Sequence, residues 1–125
     1  MTISEVSKRC NISPDTLRYY EKVGLLSDVN RTAGGIRDYT EQDCAQIEFV
    51  KCMRSAGLSI EVLKKYFELF KRGKSTLKAR RELLATERKA LQERFVELQD
   101  TLKRLDYKIS VYDKAIASKD KELKF

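Results

Sequence analysis

The feature that most constrains this chain is a seven-residue repeat in its second half. Leu77, Leu84, Leu91, Leu98, Leu105 and Tyr112 recur at that interval without a break, and beside them run Arg81, Arg88, Phe95, Leu102, Ile109 and Ile116. Taken as the d and a positions of a heptad, the two series form one apolar seam. No Pro or Gly interrupts it from Lys74 to the end of the sequence. At 1.5 Å per residue, a helix over 75–118 spans about 65 Å. An isolated helix cannot bury such a stripe. The 73 residues before it could cover only part of that length, so a second copy of the helix is the expected partner. Residues 74–118 are therefore read as a dimerisation coiled coil and 119–125 as a C-terminal tail.

The two arginines set the orientation. In a parallel pair, Arg81 and Arg88 would each face their own copy. In an antiparallel pair a layers on d, giving Phe95–Leu98, Leu102–Leu91, Ile109–Leu84 and Ile116–Leu77 between chains. Arg88 then lies over Leu105 and Arg81 over the face of Tyr112, where stem and charge are both tolerated. An antiparallel homodimer centred near Val96–Glu97 is expected.

The first half is punctuated by helix-start signals. Thr2 with Glu5 makes a capping box for a short helix to about Arg9. Ser13 as N-cap with Pro14 at the first helical position opens a second helix, which Gly24 ends. Two short helices separated by a tight turn form a helix-turn-helix if Val6, Ile12, Leu17 and one tyrosine supply a shared core. The helical period is then lost from Leu25 to Tyr39. Gly34-Gly35 suits a hairpin turn between strands at 29–31 and 36–39, a wing. Thr40 with Asp43 caps a third helix stopped by Gly57, and Ser59 caps a fourth carrying Ile60, Leu63, Phe67 and Phe70 on one face. The expected fold is mainly α: a winged helix-turn-helix domain over 1–73, with four short helices and a small β-hairpin, followed by the long helix.

The second helix of such a motif presents its N-terminal residues to base edges and other polar residues to phosphates. Ser13, Thr16, Arg18 and Tyr19 have suitable types: hydroxyls, a guanidinium fork and a flat amphipathic ring. Arg31 and Arg37 on the wing would reach flanking phosphates. Tyr20, Lys22, Gly35 and Tyr39 complete the expected DNA-facing set, although Tyr20 fits the core equally well. Net charge adds little. The formal +7 resides mostly in the C-terminal half, where 14 basic residues stand against 9 acidic ones, compared with 12 and 10 in residues 1–73.

These residues carry a family resemblance. Thr16-Leu17-Arg18-Tyr19-Tyr20-Glu21, then Gly24-Leu25-Leu26, then Arg37-x-Tyr39 resembles the MerR family of transcription regulators. Gly35-Ile36-Arg37-Asp38-Tyr39, where many members have Gly-Tyr-Arg, together with the stretch from Ile47 to Leu58, is similar to the AdhR/NmlR-type subgroup. The resemblance covers nearly the whole chain. It implies a homodimer on double-stranded promoter DNA between the −35 and −10 elements, which activates by bending and untwisting an over-long spacer for RNA polymerase.

What is sensed is less sharply marked. There is no Cys or His after Cys52, so neither the metal site of metal-sensing members nor an iron–sulfur cluster can be built there. The large C-terminal domain of drug-binding members is not expected from a sequence that stops at Phe125. A thiol remains. Lys51 and Arg54 lie close to Cys52 in sequence, and nearby cations favour thiolate. The subgroup resemblance implies that Cys52 senses aldehydes or other thiol-reactive stress. As a residue, it also fits a small apolar position on a helix face with Phe49 and Ala56. Cys10 and Cys44 read as core.

Other classes fit poorly. With no histidine, no phosphate-cradling glycine loop and no paired carboxylates, an enzyme is not expected, nor a cofactor or metal. No apolar run reaches the roughly 18 residues of a membrane span. Helix signals begin at Thr2, so no signal peptide is expected. Three cysteines without a framework point to the reducing cytoplasm. A coiled-coil adaptor would explain the heptads but not the Arg-Tyr-Tyr helix or the glycine wing. A small-ligand sensor or a constitutive regulator are the alternatives within the family.

Overall fold

A computed structural model describes residues 1–119. Its elements follow the caps. Helix α1 (Ile3–Cys10) begins at the Thr2–Glu5 capping box and ends at Asn11 in the left-handed region, φ 52°. Helix α2 (Pro14–Val23) is capped by Ser13, whose Oγ accepts from the Thr16 N–H. It closes at Gly24, φ 88°, where the Leu25 N–H returns to the Tyr20 carbonyl. A side chain at Gly24 would be strained in that backbone conformation. Strands β1 (Asn30–Arg31) and β2 (Arg37–Asp38) pair antiparallel, Asn30 opposite Asp38 and Arg31 opposite Arg37. Helix α3 (Glu41–Ser55) starts at the Thr40–Asp43 box, and α4 (Ile60–Lys71) at Ser59.

Two expectations are corrected in detail. The wing strands are shorter than 29–31 and 36–39, because Val29 and Tyr39 turn into the core instead of extending the ladder. The long helix does not begin at Lys74. A single 3-10 turn, Lys74–Thr76, precedes α5 (Leu77–Ser118), and the Thr76 hydroxyl donates to the Leu69 and Gly73 carbonyls at 2.7 and 2.8 Å. That bond satisfies a carbonyl that the end of α4 leaves open. Of the expected tail, only Lys119 falls among the described residues; 120–125 lie outside them.

The described chain forms two compact units, the first being Met1–Ala85 and the second beginning at Thr86. The first has one core. Val6, Leu17, Leu25, Leu26, Ile47, Val50 and Leu63 are fully enclosed, and Cys10, Tyr20, Tyr39, Cys44 and Phe67 join them. Val6 and Leu17 bring α1 against α2, as the helix-turn-helix reading requires, while Ile12 is half-buried at its edge. Phe49 of α3 meets Phe67 edge-on at 6.2 Å and Tyr66 at 5.5 Å, locking α4 onto α3. Phe70, expected on the same buried face, is instead exposed, and the Arg80 guanidinium lies over its ring at 5.3 Å. In the long helix the d and a side chains from Leu91 to Ile116 stay exposed, from 36% at Leu91 to 74% at Ile116. Leu77 is exposed as well and Leu84 half-buried.

Candidate nucleic-acid interface

Helix α2 presents the expected polar edge. Ser13 is exposed and Thr16 half-buried, their hydroxyls 2.8 Å apart. Both are therefore organised by the N-cap before any partner arrives. Arg18 is exposed and its Nη1 donates to Asp15 Oδ1 at 2.8 Å. An ion pair this open is worth little, so the guanidinium is available to a phosphate at small cost. Tyr19 and Lys22 are exposed on the same helix. The helix dipole adds partial positive charge at this end, where Pro14 has no N–H and the Thr16 N–H is taken by Ser13 Oγ.

The wing is built from Thr32 to Ile36. The Thr32 N–H donates to the Ile36 carbonyl at 2.7 Å and the Gly35 N–H to the Thr32 carbonyl at 2.9 Å. Gly35 takes the left-handed position, φ 81°, that a three-residue hairpin loop needs. A Cβ there would meet nothing within 4 Å, so backbone conformation is its requirement rather than space. Ile36 is exposed at the tip.

Glu21 was not among the residues expected at this site, yet it joins the helix to the wing. Its side chain is only 18% exposed; Oε1 accepts from Arg31 Nη2 at 3.3 Å and Oε2 from Arg37 Nε at 3.4 Å. Arg31 also donates to the Gly35 carbonyl. Both wing arginines expected on phosphates are thus held by one carboxylate of α2. The signal available in the sequence was Glu21 on the recognition helix with two arginines in the hairpin; their register could not be read from it. The far strand is fastened a second way, for the Met1 ammonium donates to Asp38 Oδ1 and to the Tyr39 carbonyl, both at 2.8 Å. The Asp38 hydrogen bond holds that ammonium above its usual pKa.

Two tyrosines of the expected set are core residues in this structure. Tyr20 is 8% exposed and Tyr39 2%. Burial raises the pKa of both phenols. Their rings set the seat of the helix and of the wing, with Tyr39 Oη enclosed and without a hydrogen-bond partner.

The sulfur chemistry is also redistributed. Cys10 and Cys44 are buried, as expected, and Cys52 is exposed rather than part of an apolar face. The cations near it in sequence are engaged elsewhere: Lys51 Nζ donates to the Cys10 carbonyl and Arg54 Nη1 to the Leu58 carbonyl, each at 2.7 Å. Residues one and two apart on a helix do not share a face, so neither charge is aimed at the thiol. Among the described residues, no cluster of His, Cys, Asp and Glu could hold a metal ion, and no helix is long and apolar enough to cross a membrane.

Similarity to known proteins bears on this arrangement. The family model described as MerR HTH family regulatory protein matches residues 1–69, and the one described as MerR, DNA binding matches 44–107. The chain is 53% identical to the HTH-type transcriptional regulator AdhR of Bacillus subtilis over 74% of its own length, a region spanning 66% of that protein. A crystal structure of a MerR family transcriptional regulator from Listeria monocytogenes superposes with a TM-score of 0.91 at 42% identity, over 98% of this chain and 92% of that one. HiNmlR, described as a MerR family regulator lacking the sensor domain and solved bound to promoter DNA, superposes with a TM-score of 0.85 at 32% identity, over 93% and 92%. Caps, wing and recognition helix thus occur together in the order this fold requires, and the chain belongs to the MerR family of DNA-binding transcription regulators, which are not enzymes.

Proposed function

We propose that the chain works in the cytoplasm as a homodimer on a near-palindromic promoter spacer, and that Cys52 makes it responsive to aldehydes or other thiol-reactive electrophiles. Activation follows from bending and untwisting the spacer so that RNA polymerase meets both promoter elements. Bending a site of this size costs on the order of 1–6 kcal/mol, which the contacts of two winged domains must offset. Ser13, Thr16, Arg18, Tyr19 and Lys22 supply the helix contacts, and Arg31, Gly35 and Arg37 those of the wing. The likeness to DNA-bound HiNmlR supports this use of the fold.

Dimerisation follows from the open seam of α5. Phe95, Leu98, Leu102, Leu105, Ile109, Tyr112 and Ile116 are all exposed in the single chain. Covering the half to three-quarters of each that remains in water stabilises by about 1–2 kcal/mol per side chain. Leu77, Leu84 and Leu91 complete the seam, and the antiparallel register is the one that gives Arg81 and Arg88 tolerable neighbours.

Exposure carries the sensory reading: of the three cysteines, Cys52 alone reaches solvent. Its sulfur would attack a carbonyl carbon, the new C–S bond forming as the thiol proton passes to the carbonyl oxygen. The test is Cys52→Ser in a promoter reporter with operator binding measured in parallel. Unchanged operator affinity with induction by an aldehyde lost is the expected result; full induction in the variant would remove the thiol reading. A second reading, a small-ligand sensor, is favoured by one observation. A cleft of about 160 Å³ between α3 and α4 is lined by Phe49, Tyr66, Phe67 and Phe70 with Gln42 and Gln46 at its polar side.

A further inference from the structure

Helix α4 gives way to α5 around a single carbonyl. Gly73 stands between them at φ 85° and ψ −156°. Three donors converge on its oxygen: the Thr76 N–H at 3.1 Å, the Thr76 hydroxyl at 2.8 Å and Arg80 Nη2 at 3.2 Å. The Thr76 contacts, with the bond to the Leu69 carbonyl, tie the 3-10 turn to the end of α4. Arg80 brings in α5. Its guanidinium bonds the Gly73 carbonyl and lies over the Phe70 ring of α4 at 5.3 Å, so one side chain ties α5 to α4 and to the residue between them. We infer that Arg80 is a positioning residue, a latch that fixes the direction in which α5 leaves the winged domain and, in a dimer, the spacing of the two recognition helices on the promoter.

The contact is directional for chemical reasons. A guanidinium is planar, so stacking on the ring fixes its plane. The charge-assisted bond to the carbonyl then fixes its rotation within that plane. Arg80 Nε is enclosed and has no hydrogen-bond partner. Leaving a buried donor unmet is costly, so the head group is placed by its other contacts and not by its own hydration. Burial alone would not set a direction: Leu83 and Leu84, in the next turn of α5, are half-buried, but apolar contact is non-directional. The lever is long. A tilt of about 10° at the joint moves a point roughly thirty residues along the helix, about 45 Å away, by about 8 Å. The consequence for the promoter rests on the distortion proposed above; the latch itself does not.

The test measures the joint first and the promoter second. Spin labels are placed at Glu61→Cys and Ala85→Cys, exposed positions on α4 and α5 within the first unit. The full chain carries Cys52→Ser, and the buried Cys10 and Cys44 are shielded from the label. Mixing with unlabelled chain confines the signal to one copy. Arg80→Met keeps the stem and removes the charged fork. The expected result is one narrow distance distribution in the parent, a broadened or displaced one in Arg80→Met, and partial recovery in Arg80→Lys, which keeps a donor but not the plane. The variants are then assayed on a duplex that the wild-type protein selects from a randomised pool. Affinity for an isolated half-site should be unchanged, while the bend, read by energy transfer between the duplex ends, decreases and activated transcription falls about fivefold. A distribution in Arg80→Met that matches the parent overturns the latch, and a displaced one with full activation overturns the positioning role. Should Arg80→Met not fold, Phe70→Leu, which removes the stacking face and leaves the bond to Gly73, is read in the same way. A wild-type protein that leaves the duplex straight removes the distortion reading, whereas the label distances still decide the latch.

Discussion

Residues 1–85 and the helix beyond them handle the same kind of side chain in opposite ways. In the first unit Leu17, Leu25 and Leu63 are almost wholly enclosed; along α5 Leu98 and Leu102 remain about three-fifths in water. The leucines are chemically identical, so the difference lies in what each element can reach. Short helices joined by tight turns fold back on one another, whereas a single helix of 42 residues cannot fold back on itself. Burial in the first unit is settled by the chain itself, and burial along the helix by whatever comes to it.

That contrast can be broken at its strongest point by matched truncations. Leu17→Ala should cost about 2–5 kcal/mol of unfolding free energy, read by chemical denaturation, as for other enclosed leucines. Leu98→Ala should leave the first unit's own stability unchanged and instead weaken self-association, read by sedimentation. Comparable losses of the first unit's stability from both would mean that the two regions do not differ as described.

The next test addresses the partner of the helix. With the native cysteines replaced, a chain carrying Leu77→Cys mixed with one carrying Ile116→Cys should cross-link across the antiparallel seam. Exclusive cross-links between like positions would require the parallel arrangement and overturn the register.

Alkaline titration sharpens the comparison further, because its groups all belong to the first unit. The folded state holds Cys10 protonated up to about 11, against an ordinary 9.0, and raises Tyr20 and Tyr39. Between those two values the unfolded chain has released the Cys10 proton and the folded chain has not. Stability should therefore be full below pH 9 and fall as pH rises towards 11. Cys10→Ala should flatten the first part of that fall. A stability that rises over this range would reverse the assignment.

The smallest effect expected is at the wing. Glu21→Gln keeps the shape of the side chain and removes the charge that holds Arg31 and Arg37. Both contacts are long and partly open, so stability should change by no more than about 1 kcal/mol. Amide exchange in the 30–38 hairpin should nevertheless quicken, and an unchanged exchange rate would show that Glu21 does not hold the wing.

How far these features could be read in advance depends on the range over which they are encoded. Thr2 with Glu5, Ser13 with Pro14, and Thr40 with Asp43 are signals contained within four residues, and each helix starts where they place it. The heptad is likewise a local periodicity. The surroundings of Cys52 could not be read from its neighbours in sequence: Lys51 is drawn to a carbonyl 41 residues away, and sequence proximity says nothing of that. Tyr39 looked like a contact because it ends an exposed hairpin, and only the packing of the first unit turned it inward. Glu21 was visible in the family string but without a role, since its partners lie 10 and 16 residues further on.

The carboxylate that ties the wing to α2 has a thermodynamic consequence for operator binding. A hairpin already fastened through Arg31 and Arg37 is ordered when the protein folds, not when it meets DNA. Encounter then carries little entropy penalty for arranging that loop. The heat-capacity change on complex formation should accordingly match the contact surface alone, without the additional negative contribution that accompanies folding of a disordered segment on its target.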